Sequence, residues 1–290
     1  MRKLGLIANH LKPRAPDVVR AIVAKAAQLG IELCAVEETA ALVEGLESVE
    51  PETMFDRVEA IIALGGDGTM LNAVRTLGSR EIPLMGFNIG SLGFMTSVAE
   101  DDIDQAMDAL ATDNFITSRR TVQEIVVVKD GRETGRYRAL NDTVVSSGAS
   151  NRVVTLAVSI DGNPVTSYVC DGLIVSTPTG STGHNLSAGG PIVTPEARSF
   201  VISLICPHTL SSRPLVVQDE SEILIQGQDL KESGLLLSVD GQVSQTLNGS
   251  EHIIVRAGKP DVQFIHLPGQ HFFKVLSQKL GWKGSSRATQ

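Results

Sequence analysis

The sequence predicts an α/β N-terminal domain on a parallel, Rossmann-like sheet, followed by a C-terminal all-β sandwich domain. Three observations carry this reading. Apolar runs of strand length alternate with helical patterns over the first third of the chain. From Arg119 to about Leu267, short β-rich runs are separated by turn residues instead. The run at 60–64 passes directly into Gly65-Gly66-Asp67-Gly68-Thr69, a glycine-rich turn from strand to helix.

Residues 4–8 form the first expected strand, before the loop NHLKPRAP. Asp17 is expected to cap a helix through Gln28 that buries Val18, Val19, Ile22, Val23, Ala26 and Ala27, and Gly30 stops it. Strands are expected at 31–36, at 60–64 and at 82–87, with a helix from the GGDGT turn to about Leu77. The last of these strands leads into the loop NIGSLGF, and 101–111 reads as a further helix. Ligands of such sheets bind at the carboxyl ends of the strands, where GGDGT and NIGSLGF both fall. In the second part, strands are expected at 124–129, 143–146, 153–160, 173–176, 222–225, 235–239 and 252–255. Asp130-Gly131, Asp161-Gly162, Asp240-Gly241 and Asn248-Gly249 supply turns, and a helix is expected around 197–203. The domains are therefore 1–118, joined by a C-terminal helix at 270–283, and 119–269, with a disordered tail at 284–290.

Three glycines within four residues let the GGDGT backbone take positive φ and approach a ligand. A helix starting just after them aims N–H groups and the positive dipole end at an anion, typically phosphate. Asp67, the one carboxylate of the turn, can bind magnesium, accept a hydroxyl proton, or both. In the second part, Asn141-Asp142 stands at a strand entrance. Asp171-Gly172 opens a segment rich in glycine and hydroxyl residues that can wrap around a polar ligand.

The 290 residues, 42% hydrophobic and 20% charged, suit a soluble globular protein with a real core. A net charge of −8 argues against a nucleic-acid partner. The N-terminus reads as a strand rather than a signal peptide, and no apolar run approaches a membrane span. Cys34, Cys170 and Cys206 make no metal or disulfide pattern, so reduced thiols in a cytoplasmic protein are expected.

GGDGT at 65–69, Asn141-Asp142, and DGLIVSTPTGST at 171–182 with LSAGGPI behind it resemble the three motifs of the NAD kinase family. The similarity extends to Gly86-Phe87-Asn88, Leu92-Gly93-Phe94, CPHTLSSRPLVV at 206–217, Asp240-Gly241-Gln242 and the ending VLSQKLGW, so it covers nearly the whole chain. GGDGT alone is shared with 6-phosphofructokinases and diacylglycerol-type lipid kinases; the 171–192 segment makes the match specific.

The resemblance implies an NAD kinase-like fold and transfer of the ATP γ-phosphoryl to the 2′-hydroxyl of the adenosine ribose of NAD. It implies Mg²⁺, held mainly by the donor phosphates, homodimers or homotetramers, and in several members inorganic polyphosphate as donor. Carried onto this chain, Asp67 is the general base. Gly65, Gly66, Gly68 and Thr69 hold donor phosphates. Asp67, Gly68, Phe94, Asn141, Asp142, Asp171, Thr182, Gly183, His184, Asn185, Ser187 and Gln242 face NAD. His208 and Arg213 lie in a segment that resembles one near subunit contacts.

The chain departs from the family pattern at three places. Family members usually read S-T-A-Y-S where this chain has Ser181-Thr182-Gly183-His184-Asn185. Asp142 stands where glutamate is common, and Val169 replaces a frequent basic residue. The tyrosine replaced by His184 removes an aromatic face and adds a group of a type that titrates near neutrality. Gly183 in place of alanine adds up to ~1 kcal/mol of backbone entropy. These changes bear on affinity, pH profile and the choice between NAD and NADH. The competing readings are a GGDGT kinase of a lipid or sugar hydroxyl and a non-catalytic dinucleotide sensor. An oxidoreductase is disfavoured because no GxGxxG follows a strand.

Overall fold

The computed structural model describes residues 1–90, 93–148, 153–228 and 234–282. The tail expected at 284–290, and Ser91 and Leu92 of the NIGSLGF loop, lie outside the described residues. The chain divides into two compact units, Met1–Ser118 with Gln263–Gln290, and Arg119–Val262.

The first unit runs β1 (Lys3–Ala8), α1 (Ala15–Leu29), β2 (Glu32–Ala35), α2 (Glu37–Ala40), β3 (Glu47–Ser48) and α3 (Pro51–Phe55). It continues with β4 (Ala60–Gly65), α4 (Asp67–Leu77), β5 (Leu84–Asn88), a 3-10 turn (Glu100–Asp102) and α5 (Ile103–Thr112). The strands pair in parallel in the order β3-β2-β1-β4-β5, and Phe264 and Ile265 add a further parallel pairing beside Leu84 and Met85. Strand β4 is buried throughout, which is why it reads as an unbroken apolar run. Leu4, Leu6, Ile62, Leu64 and Phe87 join Val19 and Ile22 of α1 and Met107 and Leu110 of α5 in one core. Asp17 does not cap α1. The helix starts at Ala15 with Arg14 in the capping position and Pro16 in its first turn, while Asp17 pairs with Arg20. Val18, Val19, Ile22 and Ala26 are buried, Val23 is half-buried, and Ala27 faces solvent. The C-terminal helix, Phe272–Lys279, belongs to this unit.

The second unit is antiparallel. It comprises β6 (Ile116–Lys129, entering from the first unit), β7 (Arg132–Ala139), β8 (Asp142–Ser147), β9 (Val154–Ile160), β10 (Asn163–Cys170) and β11 (Gly172–Ser176). Then follow β12 (Ser199–Ile205), β13 (Leu215–Gln218), β14 (Ile223–Gln228), β15 (Leu235–Val239), β16 (Val243–Leu247) and β17 (His252–His266). One sheet has the order β13-β12-β11-β8-β15-β16; the other pairs β10-β9-β14-β17 with β6 and β7. Residues of both sheets, among them Val127, Val145, Leu156, Val175, Phe200 and Ile225, share one core, as in a sandwich. Buried Gln123 ties the sheets together, donating to the Val175 carbonyl at 2.9 Å and accepting from the Thr143 hydroxyl at 2.7 Å.

The helix expected around 197–203 is strand β12. Its sequence, SFVISLI, packs with a β-branched or aromatic residue at most positions and pairs with β11 on one side and β13 on the other. Strands β7, β10, β13 and β16 were not expected; each is polar or exposed along most of its length.

Candidate active site

In the first unit the chain leaves β1 in one direction toward β2 and returns to place β4 on the other side of β1. Parallel sheets bind their ligands at such a reversal, outside the carboxyl ends of the strands, and the GGDGT turn stands at the carboxyl end of β4. The Asn9 backbone N–H donates to the Leu64 carbonyl at 2.8 Å, tying the end of β1 to β4 just before the turn.

The motif's geometry differs from expectation in two respects. Helix α4 begins at Asp67, inside the motif, with Gly66 in the capping position. None of Gly65, Gly66 and Gly68 has positive φ; Gly66 is extended at φ −148°. At Gly65, glycine is needed for space. A Cβ at Gly65 would lie 2.1 Å from the Thr69 hydroxyl, whereas Cβ atoms at Gly66 and Gly68 would meet nothing within 4 Å. Thr69 is buried with its hydroxyl turned back toward the Gly65-Gly66 backbone, so it shapes the turn. The open face of the motif is made by Gly66 and Gly68.

Asp67 is half-buried and held by a loop distant in sequence. Its Oδ2 accepts the Phe94 N–H at 2.8 Å and its Oδ1 accepts the Met95 N–H at 2.9 Å. A Cβ at Gly93 would lie 2.0 Å from Asp67 Oδ1, so only glycine lets the loop come this close. The Thr96 hydroxyl accepts the Gly93 N–H at 3.2 Å and stiffens the same turn. Phe94 is half-buried, with the Lys279 ammonium 5.2 Å from its ring centroid. Gln270 donates to the Ser97 carbonyl, so the C-terminal segment braces the loop that Asp67 holds.

The second unit gathers Asn141, Asp142 and the glycine-rich segment. The Thr177 N–H donates to the Asn141 carbonyl at 2.8 Å, and the Thr177 hydroxyl donates to the Leu140 carbonyl at 2.5 Å. Gly180 lies so close that a Cβ there would stand 2.1 Å from the Asn141 carbonyl oxygen. The side-chain oxygen of Asn141 is buried without a hydrogen-bond donor among the described residues, an acceptor suited to a ligand N–H or O–H. Asp142 is buried; burial, and after it the charge of Asp240, push its pKa up to about 7.

The remaining expected positions divide by exposure. Asp171, Gly183, His184, Ser187 and Gln242 are exposed and Thr182 is half-buried. His184 opens a short helix, His184–Ser187, and so stands clear of the loop beneath it. Asn185 turns the other way and is fully buried. Its amide donates to the Ser181 and Pro191 carbonyls at 3.1 and 3.0 Å, and its oxygen accepts the Ser203 hydroxyl at 2.7 Å. A Cβ at Gly190 would stand 1.9 Å from that oxygen. Asn185 therefore knits the loop together and has no polar atom left to offer a ligand. Sequence reasoning assigned no role to Asp240, whose carboxylate accepts three backbone N–H groups from 140–142. The sequence showed Asp240 as part of a turn and of the Asp240-Gly241-Gln242 match, with nothing to link it to residues 140–142.

The family described as ATP-NAD kinase N-terminal domain matches residues 4–115, and the ATP-NAD kinase C-terminal domain matches residues 140–267. An NAD kinase of Gemmatimonas aurantiaca is 41% identical over 285 residues, covering 98% of this chain and 97% of the relative. One from Syntrophotalea carbinolica is 37% identical over 283 residues, covering 97% and 99%. Among solved structures, yeast NADH kinase in complex with NADH superposes with a TM-score of 0.92 at 24% identity, covering 100% of this chain and 90% of that one. An Archaeoglobus fulgidus NAD kinase in complex with ATP gives 0.75 at 24% identity, covering 97% and 99%. By its sequence, over nearly its whole length, this chain belongs to the NAD kinase family.

Proposed function

We propose that this ATP-dependent NAD kinase uses Asp67 to orient the ribose 2′-hydroxyl and take its proton as the γ-phosphoryl of ATP is transferred. The observation that carries this role is the pair of backbone hydrogen bonds from Phe94 and Met95. They fix both carboxylate oxygens in place and leave each a second lone pair for an incoming hydroxyl. A ribose hydroxyl is a weak nucleophile at neutral pH, so a positioned acceptor for its proton lowers the barrier. The N-terminal end of α4, open over Gly66 and Gly68, supports donor-phosphate binding. Asn141, with its unpartnered oxygen, and Asp142 hold polar groups of the dinucleotide, while Asp171, Thr182, Gly183, His184, Ser187 and Gln242 add polar atoms from exposed or half-buried positions. Asn185 serves this site by shaping its loop.

Mg²⁺ fits the residues present. No group of three or more His, Cys, Asp or Glu among the described residues forms a cage. Mg²⁺ needs none, because it commonly keeps waters and binds through one or two carboxylates together with substrate phosphates. Asp67 is the carboxylate at hand, and the ion supplies charge neutralisation on the transferring phosphoryl group. The same reading places the protein in the cytoplasm, with reduced Cys34, Cys170 and Cys206, as a homodimer or homotetramer. Exposed Leu210 and Val216, beside His208 and Arg213, support self-association. No helix of the described residues is long and apolar enough to cross a membrane.

The test is a coupled-dehydrogenase assay for NADP(H) with Mg-ATP and NAD or NADH. NADP should form with NAD, and Asp67→Ala should abolish it. Calorimetric NAD binding without turnover, with ATP or polyphosphate, would instead make the protein a dinucleotide sensor.

A further inference from the structure

Three Asp-Gly pairs make tight turns in the second unit, and all three put both residues at positive φ: Asp130-Gly131, Asp161-Gly162 and Asp240-Gly241. The first two join the ends of hairpins β6–β7 and β9–β10. The third lies between β15 and β16, and its side chain does something different. Asp240 Oδ2 accepts the Leu140 N–H at 2.9 Å, and Oδ1 accepts the Asn141 and Asp142 N–H groups at 2.7 and 3.0 Å. The Asp240 N–H returns a bond to the Asp142 carbonyl at 2.9 Å. Three consecutive backbone donors thus converge on one carboxylate about 100 residues away in sequence, as an anion gathers the N–H groups of a nest.

We propose that Asp240 is the positioning residue of the dinucleotide-binding segment: by gathering the N–H groups of 140–142, it sets where the Asn141 amide and the Asp142 carboxylate stand. The proposal rests on the reading that Asn141 and Asp142 hold the dinucleotide. The opposite side of the segment is fixed independently. There the Thr177 N–H and hydroxyl bind the carbonyls of Asn141 and Leu140, and Gly180 packs against the Asn141 backbone. With the backbone held on both sides, the Asn141 oxygen can remain buried and unpartnered, a state that costs free energy and persists only where the surroundings enforce it. The αL conformation of Asp240 (φ 52°) is itself part of the device, because a short polar side chain tolerates αL and from there reaches back to the segment.

The experiment is steady-state kinetics with NAD and ATP varied separately, alongside thermal melting, for Asp240→Asn, Asp240→Ala, Asn141→Ala and Asp240→Asn/Asn141→Ala. Asp240→Asn keeps one acceptor oxygen but turns an amide toward a backbone N–H, so KM for NAD should rise about tenfold while kcat and KM for ATP stay within about threefold. Asp240→Ala should be worse, with asparagine as the partial rescue. Because Asp240 acts through the segment, the double variant should be at most about twofold worse in KM for NAD than the poorer single one. A lowered melting temperature with unchanged KM for NAD would overturn the proposal, as would effects that multiply in the double variant. Should the Asp240 variants fail to fold, Gly180→Ala pushes on the same segment from the other side and must give the same selective rise in KM for NAD; an unchanged value sinks the idea. The underlying reading fails separately, and the proposal with it, if Asn141→Ala and Asp142→Ala both leave KM for NAD unchanged.

Discussion

NAD affinity should fall about tenfold between pH 8 and pH 6, and Asp142→Asn should remove most of that fall. Asp142 is buried beside the half-buried Asp240, and its pKa is pushed up to about 7, first by burial and then by the neighbouring charge. Burial also raises Asp240, against the pull of its three backbone donors. A ligand that donates hydroxyl or amine hydrogens to Asp142 binds the ionised carboxylate, so below pH 7 binding must first remove a proton. With a pKa of about 7, the penalty factor 1 + 10^(pKa − pH) is about 11 at pH 6 and about 1.1 at pH 8, a ratio near tenfold. The linkage to folding has the opposite sense. The native pKa is raised, so this group's contribution to stability is complete below its ordinary value of 3.8 and is lost as the pH climbs through about 7. Ligand-free protein should therefore lose stability from this source over the range in which it gains affinity. The assay is titration calorimetry of NAD at pH 6 and 8 in buffers of different ionisation enthalpy, which also reads proton release directly. Equal affinities at the two pH values, or the same slope in Asp142→Asn, would refute the assignment.

Three other substitutions test the site. Asp67→Ala should lower kcat by about 10²-fold or more while the calorimetric Kd for NAD stays within about tenfold; binding lost in step with turnover would count against its role as base. Gly93→Ala should mimic much of that loss, because the new methyl group would stand 2.0 Å from Asp67 Oδ1. It should also cost about 1–3 kcal/mol in urea unfolding, and wild-type activity would show that the Asp67 contact is dispensable. His184→Tyr places an aromatic ring at an exposed position at the start of the loop helix and should tighten NAD binding about threefold; an unchanged Kd would mean that the residue does not face the ligand.

What could be read in the sequence follows from burial. Strands β1, β4 and β5 lie inside a sheet covered on both faces, so their apolar runs were visible, as was the helix after GGDGT. The edge strands left no such mark. β10 is almost wholly exposed and β7 reads RETGRYRA; both exist because a neighbour offers backbone hydrogen bonds, which no hydropathy pattern records. Strand β12 failed for the reverse reason. A short, mostly apolar run such as SFVISLI suits either a buried strand or a helix segment, and only its pairing with β11 and β13 decides. The motif residues were visible in the sequence, but which of them are exposed and which hold the loop together was not legible. Asn185 shows this: its neighbour His184 is exposed, while Asn185 itself is fully buried.

The glycines show how a motif can be right for a reason other than the one first read from it. Positive φ is the usual explanation for glycine in a phosphate-binding turn, yet the three glycines of GGDGT have ordinary φ values. Gly65 provides clearance for the Thr69 hydroxyl, while Cβ atoms at Gly66 and Gly68 would meet nothing in the chain. The same requirement recurs at Gly93 against Asp67, Gly180 against Asn141 and Gly190 against Asn185, where a Cβ would stand within 2.1 Å of the partner atom in every case. The first two of these contacts place residues of the family motifs, and the third places Asn185, where the chain departs from the family pattern. Substitution by alanine at these positions should therefore act on the site through displacement, with a defined direction, rather than through a general loss of flexibility. The glycine pattern is a map of where the chain must touch itself to hold Asp67, Asn141 and the loop around Asn185.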